Sequence, residues 1–205
     1  MPIPYAFNPL GVSAGGWTRL QYLESTGTQW IDTGIVPDSL TATHYVGQAT
    51  TGASTPQTAS GFGILEAYSR YGFNYSATGC VLQFVGYFTV STWQVANYQH
   101  FTVDLVPVSG GMRFDFTNTD TQRSDSVTRT GTISPTMTCM LFGMKSVDGS
   151  PVLLATRVYS FSMTKNNVKL IDLIPVLDNS NVPCMYDKIS GQLFYNQGTG
   201  TFAYE

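Results

Sequence analysis

From Trp17 onward the chain repeatedly alternates apolar and polar residues at every second position, breaks the runs with turn residues, and keeps no sustained helical period. Successive side chains of a strand leave opposite faces, so this alternation marks half-buried strands. Phe101, Val103 and Leu105 alternate with Thr102, Asp104 and Val106. After Ser109-Gly110-Gly111, Met112, Phe114 and Phe116 alternate with Arg113, Asp115 and Thr117. Two such runs around a short Gly-rich break predict a hairpin. Tyr159, Phe161 and Met163 share one face, Lys165-Asn166-Asn167 turns the chain because Asn tolerates positive φ, and Val168, Leu170 and LIDLIP return. Further turns are expected at Asp148-Gly149 and Ser190-Gly191. Many strands with turn signals about every eight to twelve residues predict a sandwich or barrel with helices absent or short.

A chain of 205 residues reaches the size at which such a fold forms one domain with a core of its own. Hydrophobic residues at 42% and aromatics at 13% supply that core. Charged residues make up only 11%, so Thr, Ser, Asn, Gln and Gly must cover the surface. A net charge of −3 without a basic run gives no footprint for nucleic acid. Cys80, Cys139 and Cys184 stand far apart and lack metal-ligand spacing, so they are expected as buried free thiols. No stretch is long and apolar enough to cross a membrane as a helix. The N-terminus lacks the features of a signal peptide, and the protein is expected to be made in a cytoplasm and not exported by its own signal.

Residues 1–16 differ in texture. Pro2, Pro4 and Pro9 remove backbone donors, Tyr5, Phe7 and Leu10 lie between and after them, and glycines follow. An extended arm is predicted, either strapped onto its own domain or docked on another protein. The domain itself is predicted over 17–205. Residues 50–60 and 118–130 read as polar loops.

Three blocks carry a resemblance: LQYLESTGTQWIDTGIVP at 20–37, RVYSFSMTKNNVKLIDLIPV at 157–176 and MYDKISGQLFYNQGTGTF at 185–202. Together they resemble the concanavalin A-like, laminin G-like jelly-roll domains common in bacteriophage structural proteins and in surface proteins of gut bacteria. The likeness frames residues 18–205 and is specific at the two ends. It implies an all-β, two-sheet antiparallel jelly-roll sandwich with adjacent terminal strands, usually without enzymatic activity, some relatives binding sugars with a calcium ion. Within the blocks, Ser25-Thr26-Gly27 reads as a hairpin turn, and Tyr186, Ile189, Leu193 and Tyr195 as core and sheet-edge residues.

Catalysis on this fold class is usually glycoside hydrolysis, which needs two carboxylates flanking the bond. Glu24 and Glu66 have no acidic neighbour two or four positions away, and Asp104 and Asp115 read as solvated face residues on paired strands. His44 and His100 read as strand-surface histidines, with no nucleophile motif beside them. Residues 118–125 (NTDTQRSD) are the best calcium candidate, but they lack the spaced carboxylates and Gly of a known loop and contain Arg123, so no cofactor and no metal are expected. Sugar binding uses exposed aromatic rings beside amides. Tyr68, Arg70, Tyr71 and Asn74 form one such cluster, and Trp93 and Tyr98 belong to a second; core packing is the ordinary alternative for these rings.

The expectation is a non-enzymatic surface component of a bacteriophage virion, a head or tail decoration or fibre protein. Its arm (Pro2, Pro4, Tyr5, Phe7, Pro9, Leu10) docks on other virion proteins, and its domain contacts host or mucosal glycans. Such proteins are often homotrimers, although no heptad here enforces it. The alternatives are a structural cement between capsid or tail subunits that binds no glycan and, more remotely, a glycoside hydrolase.

Overall fold

The computed structural model describes residues 16–50, 59–76, 79–90, 95–96, 98–153 and 155–205. The proposed arm, Trp93 and most of the expected loop at 50–60 lie outside the described residues. Among the described residues every regular element is a strand. In chain order these are β1 (Thr18–Arg19), β2 (Leu23–Thr26), β3 (Ile31–Asp32), β4 (Thr41–Ala49), β5 (Ala59–Leu65), β6 (Tyr71–Ser76) and β7 (Gly79–Phe84). Then come β8 (Gly86–Val90), β9 (His100–Val108), β10 (Gly111–Asn118), β11 (Arg123–Thr130), β12 (Met140–Leu141) and β13 (Gly143–Ser146). The last are β14 (Pro151–Leu153), β15 (Ala155–Lys165), β16 (Val168–Leu177), β17 (Pro183–Asp187), β18 (Leu193–Phe194) and β19 (Ala203–Tyr204).

The larger sheet runs β11-β10-β9-β4-β15-β16-β17-β18, with β1 on β16, β2 on β15 and β19 on β2. The smaller runs β14-β13-β5-β6-β7-β8, with β12 on β5 and β3 on β12. Strands pair antiparallel throughout the described residues, apart from β13 beside β5. Aromatic rings join the two sheets: Tyr45 meets Phe62 at 5.4 Å between centroids, Phe62 meets Phe161 at 5.3 Å, and Phe73 and Tyr75 meet Phe101 at 5.7 and 5.4 Å. All these side chains are fully buried or nearly so, and the alternation delivers them to one shared core. The three cysteines are buried and free, and burial pushes the thiols of Cys80, Cys139 and Cys184 up, for Cys184 to about 12.

The hairpins expected around Ser109-Gly110-Gly111 and Lys165-Asn166-Asn167 form, as does the one at Ser190-Gly191. Asn166 and Asn167 take φ values of 50° and 62°, the left-handed pair that a two-residue turn between β15 and β16 requires. Between β9 and β10 the turn rests on Gly110 at φ 74°.

Three expectations need correction. First, Ser25-Thr26-Gly27 does not close a hairpin, because β2 joins the larger sheet and β3 the smaller. The chain crosses the sandwich here. Gln29 holds the corner: its Oε1 accepts from the Thr26 N–H at 2.8 Å, and Ser25 Oγ donates to the Gln29 carbonyl at 3.0 Å. Second, residues 123–130 are not a loop but the edge strand β11, paired along its whole length with β10. Its side chains are mostly exposed, so no buried face announces it. Alternation of the ladder turns the Ser126 N–H toward the open edge, where the Asp125 carboxylate accepts it at 2.8 Å. Third, Ile189 is 53% exposed in the turn after β17 and Tyr195 is 40% exposed, so neither is a core residue. Tyr186 packs on Trp17 at 4.7 Å instead.

That turn is fastened by Asp187, which is 2% exposed. Its carboxylate accepts from the backbone N–H of Asp172, Ile189 and Ser190 and from Ser190 Oγ, at 2.6 to 3.2 Å. Burial raises its pKa, but these donors together outweigh burial and hold it below the ordinary carboxylate value. A depressed folded pKa contributes stability that is present above the unfolded value of about 4 and lost as pH falls through the folded one. Asp187→Asn is expected to lower stability at neutral pH by about 1–3 kcal/mol in urea denaturation, with the gap closing in acid. An unchanged midpoint at neutral pH would contradict this role.

Candidate functional site

On the larger sheet, the face turned away from the core carries a row of polar residues across four adjacent strands. Register places His100 of β9 opposite Gln48 of β4, Gln48 opposite Arg157 of β15, and Arg157 opposite Glu24 of β2. Each points outward because its neighbours Phe101, Ala49, Val158 and Leu23 point into the core. Between Val158 and Ser160 the register with β4 slips by one residue. The extra residue, Tyr159, is thereby delivered to this outer face, which corrects the expectation that it shares the buried face of Phe161 and Met163. Its ring lies 5.7 Å from that of Tyr22 and 5.5 Å from that of His100.

The row is bonded end to end. Arg157 Nε donates to Glu24 Oε2 at 2.7 Å and its Nη1 to Gln48 Oε1 at 2.9 Å. The guanidinium sits 4.4 Å above the Tyr22 ring and 5.8 Å from the Tyr98 ring, distances at which the ring quadrupole attracts a cation. Burial opposes the charge on Arg157, but the Glu24 carboxylate outweighs it and raises the pKa. Gln48, 6% exposed, spends its amide nitrogen on the Tyr98 carbonyl at 2.8 Å and on His100 Nε2 at 3.1 Å. Its oxygen also accepts from Tyr159 Oη at 3.2 Å. Burial pushes the Tyr159 phenol up to about 12, against the pull of Arg157. Burial likewise raises Tyr22, whose hydroxyl donates to Glu205.

Beyond the row, Asp120 lies in the turn after β10 and takes the His100 N–H at 2.7 Å and His100 Nδ1 at 3.2 Å. Asn118 Oδ1 fixes that turn by accepting from the Asp120 and Thr121 N–H groups. The arrangement therefore offers a firm, hydrogen-bonded floor edged by aromatic rings, with Tyr98 half-exposed at φ 63°.

Of the sequence-selected residues, Tyr98 touches this row. Tyr71 and Asn74 do not serve an exposed surface and are corrected here. Tyr71 is fully buried, its hydroxyl 2.6 Å from Thr43 Oγ1 and bonded to the Thr41 carbonyl. Asn74 is 4% exposed and accepts from Gln83 Nε2 at 3.1 Å. Tyr68 is 87% exposed in the turn before β6, and Arg70 Nη1 donates to Gln83 Oε1 at 3.4 Å. His44 sits on the same outer face as the row, 2.7 Å from Asp104, and that hydrogen bond raises its pKa against burial. Asp104 stands directly opposite Asp115, which pairs with Arg113. Among the described residues no group of three or more His, Cys, Asp or Glu could hold a metal ion, and Asn118 and Asp120 of the calcium candidate are engaged in the turn and with His100.

No family model matches the chain. No curated protein matches it. Among the solved structures similar to it is that of SCP-B, a member of the eqolisin family of peptidases, in a complex with the tripeptide Ala-Ile-His. The two share 16% identity over 88% of this chain and 98% of that one, with a TM-score of 0.38. The expectation that the chain lacks enzymatic activity is corrected on this match, since a peptidase is among its structural neighbours. At that TM-score no residue role or substrate passes from the peptidase to this chain.

Proposed function

We propose that this chain is a surface component of a bacteriophage particle. In this reading its domain is a concanavalin A-like jelly roll that holds a host or mucosal glycan on the outer face of the larger sheet, and residues 1–16 dock it on other virion proteins. The observation that carries the binding reading is the row His100–Gln48–Arg157–Glu24 with the half-exposed Tyr98 ring beside it. A sugar presents apolar C–H faces and a rim of hydroxyls, and a rigid aromatic ring beside fixed amide, guanidinium and carboxylate groups matches both. Preorganisation matters, because each side chain already held in place costs less to order on binding. The virion setting rests on the resemblance of residues 20–37, 157–176 and 185–202 to phage structural proteins.

The test is binding of the purified chain to host cells and to a panel of bacterial and mucin glycans, presented multivalently so that weak sites register. Saturable binding is expected, and Tyr98→Ala is expected to weaken it by about tenfold, the loss of one good contact. Deleting residues 2–16 should abolish attachment to particles and leave glycan binding intact. Absence of binding on every surface would sink the glycan reading and favour a structural cement. Binding indifferent to Tyr98→Ala would place the site elsewhere.

A further inference from the structure

The direction of each hydrogen bond along the row is set from one end. Arg157 can only donate, so the Gln48 atom facing its Nη1 at 2.9 Å is the amide oxygen. The Gln48 nitrogen, with two hydrogens, then faces the Tyr98 carbonyl at 2.8 Å and His100 Nε2 at 3.1 Å. An amide nitrogen only donates, so His100 Nε2 must accept there, and the imidazole is neutral with its proton on Nδ1, toward Asp120. Tyr159 Oη, 3.2 Å from His100 Nε2 and 3.2 Å from Gln48 Oε1, is consistent with this state whichever acceptor its single hydrogen takes.

We infer that His100 is a proton switch for this face: binding a proton at Nε2 disconnects Gln48 and frees the Tyr98 carbonyl, leaving the Tyr98–Gln99 segment on its two backbone bonds with Ala49. The inference rests on the proposed glycan reading only for its consequence in binding. A protonated Nε2 donates, and Tyr159 Oη can accept it, but the Gln48 nitrogen 3.1 Å away is left facing a donor. Turning the amide over does not help, because its nitrogen would then face the Arg157 guanidinium. Gln48 is nearly buried, so water does not readily replace the lost acceptor. The amide must move, and the Tyr98 carbonyl loses its anchor.

The charged and titratable groups around the imidazole come from every packed element. Asp120 faces Nδ1 and Tyr159 faces Nε2. Through Gln48 come Arg157 and its partners Glu24 and Tyr22, and Glu205 reaches Tyr22. Geometry therefore couples the proton to the amide.

The chain contains two histidines, so a nitrogen-15-labelled full-length His44→Gln variant leaves one imidazole in the spectrum. Were that variant to misfold, the wild type still gives two resolvable imidazoles, and His100→Gln identifies which is which. At neutral pH the His100 ring is expected with hydrogen on Nδ1, the opposite of the tautomer usual for free histidine. On acidification the Gln48 side-chain amide resonances and the exchange rate of the Tyr98 N–H should change with the midpoint of His100. Binding of the full chain to a mucin-coated surface should fall about three- to tenfold between pH 7.5 and pH 5, the effect of one lost hydrogen bond. A proton found on Nε2 at neutral pH, or Gln48 resonances indifferent to His100 titration, would overturn the switch. Failure to bind mucin at any pH, with the tautomer and the coupled titration as expected, would overturn the glycan reading and leave the switch standing.

Discussion

Phe101→Ala is expected to lower the unfolding free energy by about 3–5 kcal/mol, against about 5–15 kcal/mol for a whole domain. Phe101 is fully buried, and its ring lies 5.4 to 6.1 Å from those of Tyr45, Phe73, Tyr75 and Phe116. Two of these partners belong to the smaller sheet and two to the larger, so the ring ties the layers together. Its removal leaves a void walled by rings that cannot collapse to fill it, because each is held by its own strand. Urea denaturation followed by tyrosine and tryptophan fluorescence measures the change. A loss below about 1 kcal/mol would mean that the neighbours close the gap. Because His100 precedes Phe101 on β9, partial unfolding at this position should also release the His100–Gln48 contact.

Gly72→Ala should be at least as damaging for a different reason. Gly72 of β6 lies opposite Gly63 of β5, and both take positive φ, 133° and 144°. A Cβ at Gly72 would stand 2.3 Å from the Phe62 carbonyl oxygen and 2.7 Å from the Gly63 Cα. Those are backbone atoms, so no side-chain rotation relieves the clash, and the φ itself disfavours an L side chain. The expected cost is about 3 kcal/mol or more, with separation of β5 from β6 as the only relief. Gly86→Ala, where an added Cβ meets nothing within 4 Å, is the matched control. Equal urea midpoints for the two variants would refute the close-approach argument.

Much of the sandwich was legible before the structure. Alternation in residues 101–106, 112–117 and 161–163 identified strands and their buried faces, because each side chain's fate there depends on parity alone. Asn166-Asn167 identified its turn because the backbone conformation needed is one that Asn tolerates. Residues 123–130 were opaque because an edge strand exposed on both faces shows no burial pattern; its partner β10 makes it a strand. Ser25–Gly27 misled because local sequence encodes a turn but not which sheet receives the chain after it.

The site was less legible. Tyr71 and Asn74 looked like a binding surface because aromatic–polar alternation is the same whether a strand's polar face meets water or not. Tyr98 was found through composition. Glu24 was weighed only as a lone carboxylate, and Gln48 and Arg157 went unnoticed, because their meeting is a matter of strand order, which parity does not carry. Tyr159 reached the face through a bulge, and nothing in the alternation marks the slipped residue.

The central strands of the larger sheet are drawn from opposite ends of the chain: β15 pairs with β4 on one side and with β2 on the other, and Glu24 lies 133 residues from Arg157. Contacts of such long separation form only after a large loop has closed, which makes folding slow. On a ribosome, β2 and β4 emerge early and wait, without a partner between them, until β15 has been made. The outer face is therefore assembled in two stages: a nascent chain stopped before β15 can hold only the His100–Gln48 end, between β4 and β9, and one extended past it joins Arg157 and Glu24 to that end as the sheet closes.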